Sequence, residues 1–394
     1  MTRPRSWIEI DTKALVHNAR VFRRVIEAPS TGSGQKPWLM AVVKSNAYGH
    51  GLVECAKVFA LRSLGGAVDY FGVDDIDEAL ELRKAGIGKP ILVLGYTLSE
   101  RFIEATKKNI SITISSLDSL RHCLHLSNCS LRIHLKLETG LNRQGIMEDE
   151  LPACIDILKL LQMLKCCEVE GIYSHFAAAE LADQKKYKDY CNLQMDRFEK
   201  MAKMIEGAIC KSVIKHMAGT AATLLLPRSR YDLVRVGIGM YGLDPTSDPK
   251  LPIVNKFKLK TALSWYSIIS QVKDVKKGER VGYNLTERLK RDSRLAIVPI
   301  GYWHGYPRSA FGGSGDRLKG GLALVRDVKC KIVGLICMDM MIIDVTDVPK
   351  VKFDDVVTLI GKGLSAESVA TRAGTINYEL VTRINSIIER IRRN

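Results

Sequence analysis

Apolar positions along this chain follow two rhythms. From residue 39 to residue 241, short apolar runs predict strands at 39–43, 68–73, 91–94, 110–114, 131–137, 169–173, 213–216 and 233–241. Each is too short for an ordinary helix and is bounded by glycine, proline or polar clusters. Between them apolar residues recur at helical spacing, as at 75–85, 116–126, 151–164 and 184–208. An earlier helix follows Trp7-Ile8-Glu9-Ile10, with Leu15, Ala19, Phe22, Val25 and Ile26 on one face and Asp11 or Thr12 as its cap. Strands alternating with helices in this way predict a (β/α)8 TIM barrel rather than an open doubly wound sheet, which would need a point where strand order reverses.

Past the turn-rich stretch 243–249 the pattern becomes mainly β. Strands are predicted at 262–273, 280–283, 294–300, 321–326, 331–345 and 356–360, with helices only at 366–373 and 381–391. The expected division is a barrel over 1–250 and a mainly β C-terminal domain over 251–394, the first ~10 residues being able to pack with the second domain.

Composition changes this picture in three respects. No uncharged apolar run reaches the ~18–20 residues of a membrane span, and residues 1–7 contain no apolar signal core, so a cytoplasmic location without membrane association is expected. The ten cysteines are scattered through apolar segments without a C-x-x-C pair, which predicts buried, reduced thiols and neither a disulfide framework nor a metal site. The net charge of +16 is uneven, since residues 256–394 carry 25 basic and 14 acidic groups and account for +11 of it. That raises nucleic acid as a partner, but the cations are dispersed and no nucleic-acid signature accompanies them. A solvated basic face that draws in anionic small molecules is the expectation.

Candidate chemistry collects at strand ends, because the carboxyl ends of barrel strands open on the mouth where substrates bind. Strand 39–43 delivers Lys44 there, followed four residues on by Tyr48. A lysine so placed can form a Schiff base with an aldehyde cofactor or take a proton, although a lone strand-end lysine more often stands in water. Strand 131–137 leads through Lys136 and a glycine-bounded loop to Arg143, whose fork can hold an oxyanion. His175 ends the sixth strand, where a histidine by itself is more often a satisfied core or surface group. Thr220 offers a hydroxyl at a helix start suited to phosphate. Arg235 lies within the eighth strand, ahead of Gly237 and Ile238, and the bland reading is an ion pair with Asp232 or another carboxylate.

The letters around these residues say more. V-V-K-S-N-A-Y-G-H-G at 42–51 closely resembles the cofactor-lysine segment of the alanine racemases, fold-type III enzymes that use pyridoxal 5'-phosphate (PLP). K-L-E-T-G-L-N-R-Q-G at 136–145 resembles the family's K-x-D-T-G-M-x-R-x-G, with Lys136 and Arg143 matching while Glu138 and Asn142 depart from the commonest letters. The resemblance runs in order from about Trp7 to Glu379. It implies that Lys44 and Tyr48 hold the cofactor, that Arg143 faces its phenolic oxygen and the substrate carboxylate, and that Lys136 matches the lysine that is often carbamylated in the family to orient that arginine. It implies that His175 packs on the cofactor ring and that Thr220, Gly237 and Ile238 meet its phosphate, with Thr220 in place of the family's serine and Gly219 in place of its usual asparagine. Arg235 would face the pyridine nitrogen. A guanidinium keeps its proton, so the pyridine would stay unprotonated and the ring a weaker electron sink.

In the second domain, R-V-G-Y-N at 280–284 makes Tyr283 the implied second catalytic base, opposite Lys44 and supplied by the partner subunit of a homodimer. Packed on its own core, Tyr283 would be an ordinary strand tyrosine. I-G-Y-W-H-G-Y at 300–306 makes Tyr302 a substrate and access residue, I-C-M-D at 336–339 places the Met338 backbone on the substrate carboxylate, and T-I-N-Y-E at 375–379 brings Tyr378 to the phosphate. G-K-G-L-S at 361–365 lacks the spacing of a nucleotide loop. The implied activity is PLP-dependent, two-base interconversion of L- and D-alanine, which in bacteria supplies D-alanine for peptidoglycan. The alternatives are the same chemistry on serine, lysine or a broad range of amino acids, and a non-catalytic PLP-binding homeostasis protein of the barrel-only kind.

Overall fold

The computed structural model describes residues 4–28, 36–61, 68–126, 130–246, 252–311 and 320–393. Its first strand, β1 (Ser6–Asp11), is followed by the helix Thr12–Glu27, which Asp11 caps by accepting the Ala14 N–H at 2.9 Å. Next come β2 (Trp38–Val42), β3 (Tyr70–Val73), β4 (Ile91–Val93), β5 (Ser111–Ile114), β6 (Leu131–Lys136), β7 (Cys167–Tyr173), β8 (Ile214–His216) and β9 (Leu233–Val236). These form one eight-stranded sheet in the order β8-β7-β6-β5-β4-β3-β2-β9, with the seven pairings between neighbours all parallel. Parallel neighbours need crossover connections, and the helices between the strands supply them. Hydrogen bonds from Asp232 N–H to the Lys215 carbonyl (3.0 Å) and from Arg235 N–H to the Ala218 carbonyl (2.9 Å) draw β8 and β9 together, so the sheet is a nearly closed barrel. Met40, Val42, Tyr70, Leu92 and Leu233 form a separate buried cluster on strands β2, β3, β4 and β9. The predicted strand 233–241 stops early, because the chain turns at Gly237 and Ile238–Tyr241 is a single 3-10 turn.

The second sheet has nine strands, in the order β11-β14-β17-β16-β15-β18-β10-β1-β19. They are β1 with β10 (Leu263–Ile268), β11 (Gln271–Val275), β14 (Ser293–Val298), β15 (Leu322–Val325), β16 (Val328–Ile332), β17 (Met341–Asp344), β18 (Val356–Ile360) and β19 (Glu389–Arg393). A small hairpin, β12 (Arg280–Val281) with β13 (Glu287–Arg288), stands apart. One continuous apolar core joins β1, the barrel helices and this sheet, with Ile8, Phe22, Tyr241 and Trp265 fully buried in it.

Three predicted elements of the second domain differ as well. The run 262–273 is two strands, because Ile269 N–H donates to Asp355 and Ser270 N–H to Ile297, so the chain changes neighbours between β10 and β11. The run 331–345 is broken by Gly334 at φ 69° and by a turn closed from Cys337 N–H to the Met340 carbonyl, which sets Met338 outside both strands. The predicted helix 381–391 is instead the end of the helix Asn377–Thr382, a turn, and β19 lying parallel to β1. The open edge of β1 offers hydrogen bonds that outweigh helical spacing there. Of the turn-rich stretch 243–249, residues 247–249 lie outside the described residues, as does Cys129. The other nine cysteines are free thiols. Among the described residues no helix is long and apolar enough to cross a membrane.

Candidate active site

Strand β2 ends at Val42, and Lys44 opens a turn with a left-handed backbone: Ser45, Asn46, Ala47 and Tyr48 have φ between 52° and 55°, followed by Gly49 at 81°. Consecutive left-handed residues cost about 1–2 kcal/mol each, so something must hold them. Asn46 does much of it, donating its N–H to Glu78 and accepting Leu52 N–H on its side chain and Gly51 N–H on its carbonyl. From the other side the helix Asn377–Thr382 packs so closely that a Cβ on Gly49 would lie 2.0 Å from the Val381 carbonyl oxygen. Lys44 Nζ reaches the mouth of the barrel, where it pairs with Asp74 at 2.9 Å. Both side chains are partly exposed, so the pair is worth no more than ~1 kcal/mol and can yield to a ligand.

Arg235 projects from β9 and is buried, with no carboxylate beside it among the described residues. Its Nη1 donates to His216 Nδ1 at 2.8 Å, and its Nη2 to the Ser174 and Met217 carbonyls and to His175 Nδ1. Asp232, the bland partner, instead accepts the Lys215 N–H. Burial, with the neighbouring charge of Arg143, lowers Arg235 to about 10. The same burial and the charges of Arg235 and Arg143 push His175 well below its ordinary value. With Nδ1 accepting from Arg235, the neutral His175 ring carries its proton on Nε2.

The loop bearing Arg143 is fastened by Glu138, which accepts the Gly140 N–H at 2.6 Å and the Arg143 N–H at 3.2 Å. Asn142 takes φ 54°, a conformation asparagine tolerates better than most residues. Both residues thus help to set the conformation of the loop that carries Arg143. Lys136 Nζ lies over the Tyr173 ring, and burial together with Arg143, Arg235 and Lys44 lowers its amine to about 8.

At the far corner the Thr220 hydroxyl accepts the N–H of Gly237 (3.2 Å) and Gly239 (3.4 Å), tying the start of the helix Thr220–Leu225 to the turn after β9. Gly237 is required there, since a Cβ would lie 2.4 Å from the Tyr48 hydroxyl. Tyr48 and Tyr378 meet edge to face at 6.1 Å. At Gly219 a Cβ would meet nothing closer than His175 at 3.4 Å, so glycine leaves open space beside that ring.

Lys44, Tyr48, Lys136, Arg143, His175, Thr220, Arg235, Gly237, Ile238 and Tyr378 all line one cavity of about 610 Å³. Its charged lining is Lys44, Lys136, Arg143 and Arg235 against Asp74 and Glu180, a net positive chamber suited to a ligand bearing phosphate and carboxylate groups. Tyr283, Tyr302 and Met338 are absent from that lining and are 67%, 41% and 55% exposed. Sequence reasoning passed over Asp74 and Tyr173, which also line the cavity. The carboxyl-end rule, applied to β3 and β7, would have found both.

Comparison with known proteins agrees over the whole length. The family model for the alanine racemase N-terminal domain matches residues 10–245, and that for the C-terminal domain matches 262–392. An alanine racemase of Methanococcus maripaludis is 35% identical over 392 residues, covering 98% of each chain. Alanine racemase 1 of Bacillus subtilis is 36% identical, covering 98% of this chain and 92% of that one. Among solved structures, alanine racemase from Streptomyces lavendulae superposes with TM-score 0.87 at 31% identity, covering 100% and 98% of the two chains. The enzyme from Bacillus anthracis, solved with bound L-Ala-P, gives TM-score 0.84 at 33% identity, covering 100% and 96%.

Proposed function

This chain belongs to the alanine racemase family, and on that premise we propose that it interconverts L- and D-alanine by holding pyridoxal 5'-phosphate on Lys44 at the barrel mouth and moving the α-proton between Lys44 and a partner subunit's copy of Tyr283. The observation that carries the reading is the cavity itself: a lysine at the mouth, a buried arginine bonded to His216 and His175 rather than to a carboxylate among the described residues, and a hydroxyl-and-glycine corner at the far end, within one net positive chamber. Those residues fit the cofactor. Tyr48, Thr220, Gly237, Ile238 and Tyr378 would hold its phosphate end, His175 its ring face, Arg235 its pyridine nitrogen and Lys44 its aldehyde carbon. When bound, PLP supplies an electron sink for the electrons left when the α-carbon loses its proton.

The chain's residues supply the rest. Arg143, held by Glu138 and accompanied by Lys136, receives the substrate carboxylate. Lys44 Nζ takes or returns the α-proton on one face. Racemisation requires a second group on the opposite face, because a single base would return the proton to the side it came from. Within one chain no residue of the cavity lining matches the family's second base, and Tyr283 lies exposed outside it with Tyr302 and Met338. That supports a homodimer in which each subunit completes the other's site. Arg235 keeps its proton near neutral pH, so against a bound pyridine nitrogen it would donate a hydrogen bond without giving the proton up, which would favour returning the proton to the α-carbon over transamination. Tyr378, beside Tyr48, narrows the pocket toward a small side chain. The test is circular dichroism of L-alanine, L-serine and L-lysine incubated with PLP-loaded protein. The signal should decay with alanine only. Decay with all three would place the chain among broad-range racemases, and decay with none would refute racemisation.

A further inference from the structure

Behind Arg235 a chain of buried hydrogen bonds crosses the barrel interior. Arg235 Nη1 lies 2.8 Å from His216 Nδ1, His216 Nε2 lies 2.8 Å from His134 Nδ1, and His134 Nε2 lies 3.1 Å from Glu170 Oε2. Both histidines are 0% exposed. The direction of every bond follows from its first member. A guanidinium can only donate, so His216 Nδ1 must accept, and the proton of the neutral ring sits on Nε2. That proton is donated to His134 Nδ1, which leaves the His134 proton on Nε2, facing a carboxylate that can only accept. The reverse polarity would oppose N–H to N–H at Arg235 and lone pair to lone pair at Glu170.

Two backbone irregularities serve this line. The β6–β7 ladder slips between Ile133 and His134, pairing Ile133 with Val169 and His134 with Gly171, so Glu170 is the extra residue of a bulge. Bulges re-aim side chains, and this one brings Glu170 to His134 although the residue is out of step with the strand's alternation. Next to it Gly171 has no side chain, and a Cβ there would lie 2.3 Å from His134 Nδ1. The bonded ring occupies that space. Glu170 then faces a cavity of about 430 Å³ lined by Trp38, Ile214 and Asp232, at the amino ends of β2, β8 and β9. The line therefore runs from the catalytic mouth to the opposite end of the barrel. Burial disfavours the Glu170 charge, but hydrogen bonds from His134 and Ser111 and the nearby Arg132 outweigh it and hold the carboxyl below the usual range.

We infer that Glu170, acting through His134 and His216, is the remote counter-charge of Arg235 and sets how strongly its guanidinium donates toward the cofactor site, which makes all three positioning residues for racemisation. The inference rests on reading Arg235 as the residue that faces the cofactor ring. Glu170→Gln separates charge from geometry, since the amide oxygen still accepts from His134 while the charge is gone. In full-length protein labelled with ¹⁵N-histidine, both His216 and His134 should carry a single proton on Nε2, with or without cofactor. The Glu170→Gln variant should keep those protons in place. With its counter-charge removed, Arg235 becomes a stronger donor, and the ratio of transamination to racemisation should rise roughly two- to five-fold, the scale of a partly lost charge-assisted network. A proton on His216 Nδ1 in the wild-type protein would overturn the relay, whether or not the protein racemises. If wild-type protein racemises alanine but Glu170→Gln slows both reactions equally and leaves their ratio fixed, Glu170 is structural only.

Discussion

With burial and the charges of Arg143, Arg235 and Lys44 lowering Lys136 to about 8, roughly half of its amine is neutral at pH 8 and about a hundredth at pH 6. Only the neutral amine adds carbon dioxide. Carbamylation of Lys136, which would put a negative group beside Arg143, should therefore be present at pH 8 and fade toward pH 6. ¹³C-bicarbonate NMR should show a carbamate resonance with that pH dependence, and Lys136→Arg should lack it; a wild-type spectrum without it contradicts the assignment. Lys44 is tested by borohydride reduction of the PLP-loaded protein followed by peptide mapping, which should find the cofactor on the peptide containing Lys44 and on no other lysine. Arg235→Glu should raise transamination relative to racemisation, and unchanged partitioning would leave Arg235 a purely structural cation. These residues were legible because their neighbours form extended patterns, as around Lys44 and Arg143. Asp74 and the His216–His134–Glu170 line were not. Each acquires its role from a partner distant in sequence, and Glu170 points to His134 only because a bulge interrupts the alternation that a sequence reading assumes.

The turn after β2 concentrates the dependence of the site on its elements. Its polar, glycine-bounded letters predict a turn, but its left-handed path arises from contacts with Glu78 and the helix Asn377–Thr382, which the local sequence does not reveal. Gly49→Ala places a Cβ against the Val381 carbonyl at φ 81°. We expect a loss of about 2–4 kcal/mol of stability, combining left-handed strain with backbone displacement, and weaker cofactor binding because Tyr48 lies in the same turn. Thermal melting and PLP titration check both. A variant with wild-type melting and affinity would show that the turn relaxes freely. The barrel strands were readable because each is a short apolar run. The second sheet was less so, since β10 and β11 follow without a break and are divided by where their hydrogen-bond partners lie, and β16 and β17 are parted by Gly334 and a turn within one largely apolar run.

At the scale of the whole molecule, one chain brings ten of the thirteen predicted site residues to a common cavity and leaves Tyr283, Tyr302 and Met338 on its surface. Sequence order cannot say whether they return to their own barrel or reach another, because that depends on how two folded chains meet. On the proposed function they reach another, so that Lys44 of one subunit works with Tyr283 of its partner. Lys44→Ala and Tyr283→Ala homodimers should both be nearly inactive. A heterodimer of the two would contain one site with both defects and one with neither. Random pairing of equal amounts makes about half of the dimers mixed, each with one intact site of two, so alanine racemisation should recover to roughly a quarter of wild type after subunit exchange. Confirmed exchange without recovery would contradict the shared site, because two groups supplied by one chain would leave every site lacking one of them.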